Sequence, residues 1–479
     1  MMRSVAVIGI DGISWNILKM LFDRGIMPYL KHVIKRSLTS TLKSTLPPLT
    51  YPAWTSIATG VNPGKHGVYG FLSVRKGRIG FESRITTAHD VKYPRIHELL
   101  GMFNIRSLIM NVPATYPPDC TTARKTSVIV SDWLSPEIKV YPRRYEDLER
   151  ALKTNLISKD VSKPPEIYKF MRERVERIIM EVLNVIDVLK PNFLFLVFSE
   201  PDWIMHKDPD FLKGYNVHMA GNIFNNIDSM IRSVHEIFDH VIIVSDHGFS
   251  LYNNFISVTS ILKKGNVRVG TAGVSKPKSR RRLTELGFKV GRYKLIRPWA
   301  RAIAKKIFKI RYSERVIPYT LYEAFIPDTV YPSCIYIKPG MEEYVIDVLK
   351  GESLLKVYRS YEAYSGPCVK EAPDVIVEPN DYSYMVTSKD EEEITHKEGE
   401  EGSTHHPHGV LIVTDFECNK CDMLETYDVV PIILHLMKLP IPSDTDSKLS
   451  FLEKKPRMYN YYASWKLLKK SQHLKGELY

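Results

Sequence analysis

The chain has 479 residues, 44% of them hydrophobic, and a formal net charge of +13. This length and composition allow one large domain with an insert or two domains, and they exclude a disordered or fibrous protein. No apolar run approaches the roughly 20 residues that span a bilayer. The first residues lead straight into a strand pattern without a signal peptide, so we expect a cytoplasmic protein.

The positive charge is concentrated in two segments of the chain. Residues 263–315 contain 18 Lys or Arg against two Glu, and residues 447–479 contain eight against two. The remainder is therefore acidic. We expect a basic cap inserted at 264–318 and a basic C-terminal tail over 447–479, each suited to contact with an anionic partner.

Apolar strand patterns alternate with helical patterns along most of the sequence. Residues 5–10 form a continuous apolar run typical of a buried parallel strand, and Asp11 follows it directly. Helices are predicted at about residues 14–24, 165–189, 217–238 and 428–437. After the basic stretch, the runs CIYIK, DVIVE and GVLIV (residues 334–338, 374–378 and 409–413) are expected to resume the strand pattern.

This alternation predicts an α/β fold, with a doubly wound, mostly parallel sheet sandwiched by helices. Its catalytic core would be discontinuous, over 1–263 and 319–446, because the basic cap interrupts it.

Thr50 is predicted to lie at the N-terminus of a helix. Tyr51 and Pro52 follow it, apolar residues then recur at helical spacing, and Gly60 ends the run. The positive end of a helix favours a phosphate group and eases the ionisation of a nucleophile. A threonine here is also a common N-cap, so its meaning depends on the rest of the chain.

Acidic and histidine residues follow other predicted strands. Asp202 and His206 lie four residues apart after NFLFLVF, and Asp246 and His247 follow HVIIVS. Three more histidines precede GVLIV, namely His405, His406 and His408. Open α/β sheets bind ligands at the carboxyl ends of their strands, so these groups should meet there with Asp11. Mixed imidazole and carboxylate ligands suit Zn²⁺, with Mn²⁺ as the alternative.

The chain resembles the alkaline phosphatase superfamily, in particular its type I phosphodiesterase/nucleotide pyrophosphatase branch and the predicted phosphohydrolase/phosphomutase relatives in prokaryotes. The matching segments, in the family's order, are IGIDG, LTYPAWTSIATGVNPGKHGVYGF, NVPATYPP, EPDWIMH, VSDHGF, APDVIVEP, THHPHG and YDVVPIILHLMKLPIP. They span most of the sequence. The ordered set is specific even though each segment alone is not.

The resemblance implies two divalent metal ions. It assigns the first to Asp202, His206 and His405, and the second to Asp11, Asp246, His247 and the oxygen of Thr50. His405 is preferred to His406 and His408 because THxPxG in this chain resembles the family's THRPEG. The chain departs from nucleotide pyrophosphatases at Ala53 and Trp54, where they usually have Asn and His, which argues against nucleotide-diester specificity.

The implied activity is that of a phosphodiesterase or phosphatase acting through a phosphothreonine intermediate on Thr50. One metal would lower the pKa of the Thr50 hydroxyl, and the second would activate the water that releases the phosphate. If an alcohol replaces the water, the same site is a phosphotransferase or phosphomutase. A catalytically inactive scaffold that binds anionic surfaces is the alternative from another class.

The expected substrate is a phosphorylated small molecule or lipid. Residues 297–310 have the pattern of a short interfacial helix, so residues 263–315 could hold an anionic membrane surface and place the protein at its periphery. A solvated helix packed on the domain by its apolar face explains the same pattern. Nucleic-acid binding is disfavoured because the chain contains no recognised binding module.

Overall fold

The computed structural model describes residues 3–118, 126–133, 135, 138–152, 164–273, 315–328, 331–396, 401–416, 421–452 and 455–474. A nine-stranded mixed sheet lies at the centre of the protein. Its strands, in spatial order, are Met423–Glu425, Ser37–Lys43, His408–Thr414, His240–Val244, Val5–Ile10, Phe193–Phe198, Ser107–Met110, Ser127–Val130 and Val140–Tyr141. The predicted α/β class with a mostly parallel sheet is confirmed.

The middle of this sheet is parallel. Val5–Ile10 pairs in parallel with Phe193–Phe198 on one side and with His240–Val244 on the other. Antiparallel pairing occurs where His408–Thr414 joins the sheet and at its far edge. The carboxyl ends of the three middle strands therefore lie side by side at one edge of the sheet.

Both faces of the sheet are covered, which explains the continuous apolar runs in its strands. Ala6, Ile8 and Ile10 point into one core, whereas Val5 and Val7 point into the other. The first core is shared with long helices, and the second with the helix that begins at Thr50.

The predicted helices are present, with ends that differ by up to three residues from the expected ones. Trp15–Asp23 is capped by the hydroxyl of Ser14, which accepts a hydrogen bond from the amide of Ile17. The described α-helices are Trp15–Asp23, Pro28–Val33, Thr50–Thr59, Pro63–His66, Ile96–Gly101, Glu146–Leu152, Pro164–Leu189, Glu200–Lys207, Pro209–Leu212, Val217–His235, Val258–Lys264, Glu342–Lys350, Ser360–Ala363, Val429–Leu436 and Tyr461–Leu474.

Two of the expected strands belong to a different sheet from the one predicted. Cys334–Ile337 and Val375–Pro379 pair antiparallel within a five-stranded sheet that has its own hydrophobic core. Its strand order is Val269–Gly273, Ala324–Asp328, Cys334–Ile337, Val375–Pro379 and Leu355–Arg359. An apolar run identifies a strand but not its partner, because pairing depends on contacts distant in sequence.

The remaining described strands form small sheets. Gly248–Tyr252 pairs with Gly402–His406, and Ile441–Pro442 pairs with Met458–Tyr459. Two three-stranded sheets consist of Tyr384–Thr387, Asn254–Ser257 and Ile394–His396, and of Arg315–Pro318, Gly80–Ile85 and Leu72–Lys76.

The predicted basic cap is described only at its two ends. Val269–Gly273 pairs with Ala324–Asp328, and Arg315–Pro318 pairs with Gly80–Ile85. The expected interfacial helix at 297–310 lies outside the described residues, so its membrane role stays a prediction, as do the domain boundaries. Among the helices that are described, none combines the length and the apolar character needed to cross a bilayer.

Candidate active site

Three of the predicted ligands lie at the ends of adjacent strands of the central sheet. Asp11 follows Val5–Ile10, and Asp246 and His247 follow His240–Val244, so the parallel pairing of these strands brings the three side chains together. All three are at most 1% exposed. The Nε2 atom of His247 lies 3.2 Å from Asp246 Oδ2 and 3.6 Å from Asp11 Oδ1.

A second group forms at the end of the neighbouring strand. Asp202 and His206 lie one turn apart on the helix Glu200–Lys207, and His405 lies on a strand that pairs with Gly248–Tyr252 just after His247. The Nε2 atoms of His206 and His405 are 3.5 and 3.4 Å from Asp202 Oδ1, and 2.9 Å from each other.

The two groups of ligand atoms share Asp202. Among the described residues, the ligand atoms that could share one ion are those of Asp202, His206 and His405, and those of Asp11, Asp202 and His247. Asp202 therefore belongs to both groups, whereas Asp246 lies beside the second one. The rings of His247 and His405 stack with centroids 3.7 Å apart, which places the two groups in one cluster.

The structure distinguishes the three histidines of the GSTHHPH segment. His405 is 2% exposed and lies in the ligand cluster. His406 instead packs against Tyr382 and His408, and His408 is exposed. Side chains alternate between the two faces of a strand, so His405 and His406 point in opposite directions.

Thr50 is the first residue of the helix Thr50–Thr59 and is 3% exposed. Contacts on both sides of it hold this helix against the ligand cluster. His405 donates from Nδ1 to the carbonyl of Pro48 at 2.7 Å, and the indole of Trp54 donates to Asp11 Oδ2 at 3.2 Å. The predicted position of Thr50 at a helix N-terminus is confirmed.

The protonation of the carboxylates reflects their burial. Desolvation, followed by the charges of Asp246 and Asp202, raises the pKa of Asp11 well above its usual range. Desolvation likewise raises the pKa of Asp246 to about 7. Burial also acts on Asp202, but the adjacent His206 and His405 outweigh it and lower its pKa to about 2. Three buried carboxylates this close together repel one another unless cations lie between them.

The donor atoms of the cluster fit divalent cations. Asp11 Oδ1, Asp202 Oδ1, Asp246 Oδ2 and His247 Nε2 are buried and have no hydrogen-bond partner within the described part of the chain. When the His405 ring is neutral, donation from Nδ1 leaves a lone pair on its Nε2, which faces the Nε2 of His206. Buried polar atoms without partners are costly, and bound cations would satisfy all of them.

The sequence did not identify the contacts that orient the ligands. Nothing in the sequence marked the Pro48 carbonyl as the partner of His405. Trp54 stood out only as a departure from the family pattern. Gly9 carried no signal either, although a Cβ there would lie 2.4 Å from the indole of Trp54.

A small recess with room for about one water molecule lies beside the start of the Thr50 helix. Leu49, which precedes Thr50, forms part of its wall, and Tyr331 lines it while stacking parallel to His405 at 6.4 Å. The other lining residues are Tyr69, Gly70, Phe71, Leu72, Pro327, Cys334 and Tyr336. None of the described residues that line it is Asp, Glu, Lys or Arg.

Several solved structures share this fold. Murine ectonucleotide pyrophosphatase/phosphodiesterase 5 has a TM-score of 0.55 and 14% identity, covering 93% of this chain and 98% of its own. Phosphonoacetate hydrolase from Sinorhizobium meliloti 1021 has a TM-score of 0.59 and 13% identity, covering 91% and 96%. The alkaline phosphatase PafA has a TM-score of 0.53 and 14% identity, covering 94% and 98%. No curated protein matches the chain in sequence.

The protein has the fold of these structures, and its buried carboxylate–imidazole cluster is a candidate metal centre. The sequence pattern of the type I phosphodiesterase/nucleotide pyrophosphatase family matches residues 5–410, and the chain belongs to that family. The resemblance stated from the motifs is therefore confirmed, as is the hydrolytic class of the enzyme.

Proposed function

We propose that the protein hydrolyses phosphoric esters with Thr50 as the nucleophile, through a phosphothreonine intermediate. The observation that carries this proposal is the group of buried, unpartnered ligand atoms against which the Thr50 helix is held. Asp11, Asp202, His206, Asp246, His247 and His405 would hold two divalent cations, Zn²⁺ or alternatively Mn²⁺. Bound there, such cations lower the pKa of a hydroxyl and stabilise the entering and leaving oxygens of an in-line displacement.

The residues of the chain support two successive displacements. The Thr50 hydroxyl loses its proton and its oxygen forms a bond to phosphorus, while the bond to the alcohol oxygen breaks and the alcohol leaves with a proton. Water then attacks phosphorus, the bond to the Thr50 oxygen breaks, the hydroxyl is restored with a proton from the water, and phosphate or a phosphomonoester is released. The N-terminus of the Thr50 helix favours the negative charge of the phosphoryl oxygens in both steps, because its dipole is positive at that end.

The apolar and aromatic recess next to Leu49 has room for only about one water molecule, so the organic group of the ester would lie outside it. An inactive variant of the murine neighbour was solved with AMP, and the bacterial neighbour with phosphonoacetate. AMP is a phosphate monoester and the family description names phosphodiesterases, so both monoesters and diesters should be assayed.

The proposal is tested with full-length protein reloaded with Zn²⁺ or Mn²⁺ and offered p-nitrophenyl phosphate and bis-p-nitrophenyl phosphate in parallel. We expect hydrolysis of at least one ester, and phosphate on the Thr50 peptide in mass spectra of an acid-quenched reaction. Phosphate on another residue during turnover would overturn the role of Thr50. Loss of all turnover despite two bound metals per chain would favour the inactive scaffold.

A further inference from the structure

We propose that Trp54 is a positioning residue that aims Asp11 at its metal ion and fixes the Thr50 helix to the same carboxylate. This inference rests on the proposed metal-dependent function. The indole Nε1–H donates to Asp11 Oδ2 at 3.2 Å, and the two side chains are 0% and 1% exposed. At that burial the bond is shielded from bulk solvent.

The hydrogen bond from Trp54 gives the two carboxylate oxygens of Asp11 different roles. Oδ2 accepts from the indole, whereas Oδ1 is buried, has no hydrogen-bond partner among the described residues and lies 3.6 Å from His247 Nε2, on the side of the ligand cluster. Hydrogen bonds from outer residues fix the orientation of metal-binding carboxylates in this way. Tryptophan suits the task because its indole nitrogen only donates, so it does not compete for the cation.

The position of Trp54 in its helix connects this carboxylate to the nucleophile. Residues four apart lie on the same face of a helix, so Thr50 and Trp54 project toward the same edge of the sheet. The ring itself is held by packing against Phe195, at 6.1 Å between centroids, and by the absence of a side chain at Gly9. The helical turn from Thr50 to Trp54 therefore fixes the distance between the Thr50 oxygen and the Asp11 carboxylate.

The test uses Trp54→Phe, which keeps an aromatic ring but loses the N–H, and Trp54→His, which is smaller but keeps a ring donor. Zn²⁺ titration of metal-free protein is read together with kcat and KM. Trp54→Phe should weaken binding of one of the two ions by about 10- to 100-fold and lower kcat more than it raises KM. Trp54→His should bind that ion more tightly than Trp54→Phe does.

The opposite order, with Trp54→His the weaker binder, would show that only packing matters and would overturn the proposal, as would wild-type affinity in Trp54→Phe. Ile57→Val, a buried change on the same helix, is the matched control and should keep both ions bound. If Trp54→Phe does not fold, Gly9→Ala displaces the indole from the other side and should lower the same affinity. Tight binding of two ions without hydrolysis of any ester would reject the proposed function while leaving the affinity test of Trp54 intact.

Discussion

Two fully buried histidines show how differently the fold treats the same side chain. His66 donates from Nε2 to the hydroxyl of Ser56 at 3.0 Å, and its Nδ1 accepts from the amide of Val68 at 3.1 Å. His247 has a backbone carbonyl near Nδ1, but its Nε2 faces Asp11 and Asp246 without a hydrogen bond. Both are 0% exposed, so burial does not separate them.

His66 and His247 differ in whether the described residues provide hydrogen-bond partners for both ring nitrogens. His66 is satisfied by its neighbours and holds the loop after the Thr50 helix, whereas His247 needs a partner. His97 shows that one unpartnered nitrogen is not enough, because it too has a free Nε2 but belongs to neither group of ligand atoms. A metal site is therefore indicated by several unpartnered ligand atoms that converge.

The largest effect should come from Thr50→Ala, which tests the catalytic role proposed for the site around His247. We expect turnover of phosphoric esters to fall by roughly 10³- to 10⁶-fold, because removing a nucleophile leaves only binding and electrostatic stabilisation. Initial rates and circular dichroism measure activity and fold. Thr55→Ala, whose hydroxyl donates to the Tyr51 carbonyl on the same helix, is the control and should keep its activity. Near wild-type rates in Thr50→Ala would exclude the covalent mechanism.

The second prediction concerns how many bound metal ions depend on Asp202 and how many on Asp246. Because Asp202 belongs to both groups of ligand atoms, Asp202→Asn should reduce the metal content from two ions per chain to less than one. Asp246→Asn should lose only one of them, because Asp246 lies beside the second group. Elemental analysis after dialysis measures both contents.

Asp228→Asn is the matched control for these two variants. Asp228 is 4% exposed but accepts hydrogen bonds from the amides of Tyr29 and Leu30, so its loss should cost stability and leave two metals bound. Equal metal content in Asp202→Asn and Asp246→Asn would contradict a shared role for Asp202.

The third prediction is that chelation loosens the His247 region and not the His66 region. Ions at about 1,000 times their dissociation constant stabilise the folded state by about 4 kcal/mol, so EDTA should lower the melting temperature. Hydrogen exchange should accelerate at residues 246–248 and change little at residues 64–68. Unchanged melting with and without metal would argue that the cluster binds no cation.

The fourth prediction concerns the pH dependence of stability at His66. Burial lowers the pKa of His66 from 6.5 to about 3, so the unfolded chain takes up this proton first as the pH falls. Stability is therefore lost below about pH 6.5, by up to about 1.4 kcal/mol per pH unit, until His66 itself is protonated near pH 3.

His66→Gln should remove this contribution and flatten the loss of stability between pH 6 and about pH 4. Urea unfolding at several pH values measures the slope. His32→Gln, at an exposed position, should keep the wild-type slope. An unchanged slope in His66→Gln would mean that other groups dominate acid unfolding.

Much of the local structure follows from the sequence alone. The helix at Thr50 begins where Pro52 in its first turn requires, and Gly60 ends it with a φ of 74° that favours glycine. The apolar run before Asp11 is a strand buried on both faces. These features depend on neighbours within a few residues, so side-chain periodicity and backbone preference are enough to predict them.

The residues that the structure brings together in the candidate cluster were also predicted, through their positions at strand ends and the ordered motifs. Asp202 and His206 lie on one helical turn, as their spacing predicts. Which residues share an ion did not follow from spacing, and the resemblance did not assign Asp202 to both groups. Asp202 lies in both candidate groups because the helix Glu200–Lys207 and the strand of His405 converge from segments about 200 residues apart.

Only the tertiary structure decided the partners of the strands and the contacts around the ligands. The register that sets Phe249 opposite His405 turns His405, and not His406, toward Asp202. The bond from Trp54 to Asp11 exists because Gly9 leaves room for the indole between two elements 40 residues apart. Such contacts depend on the simultaneous packing of distant segments, and no pattern within one segment of the sequence encodes that geometry.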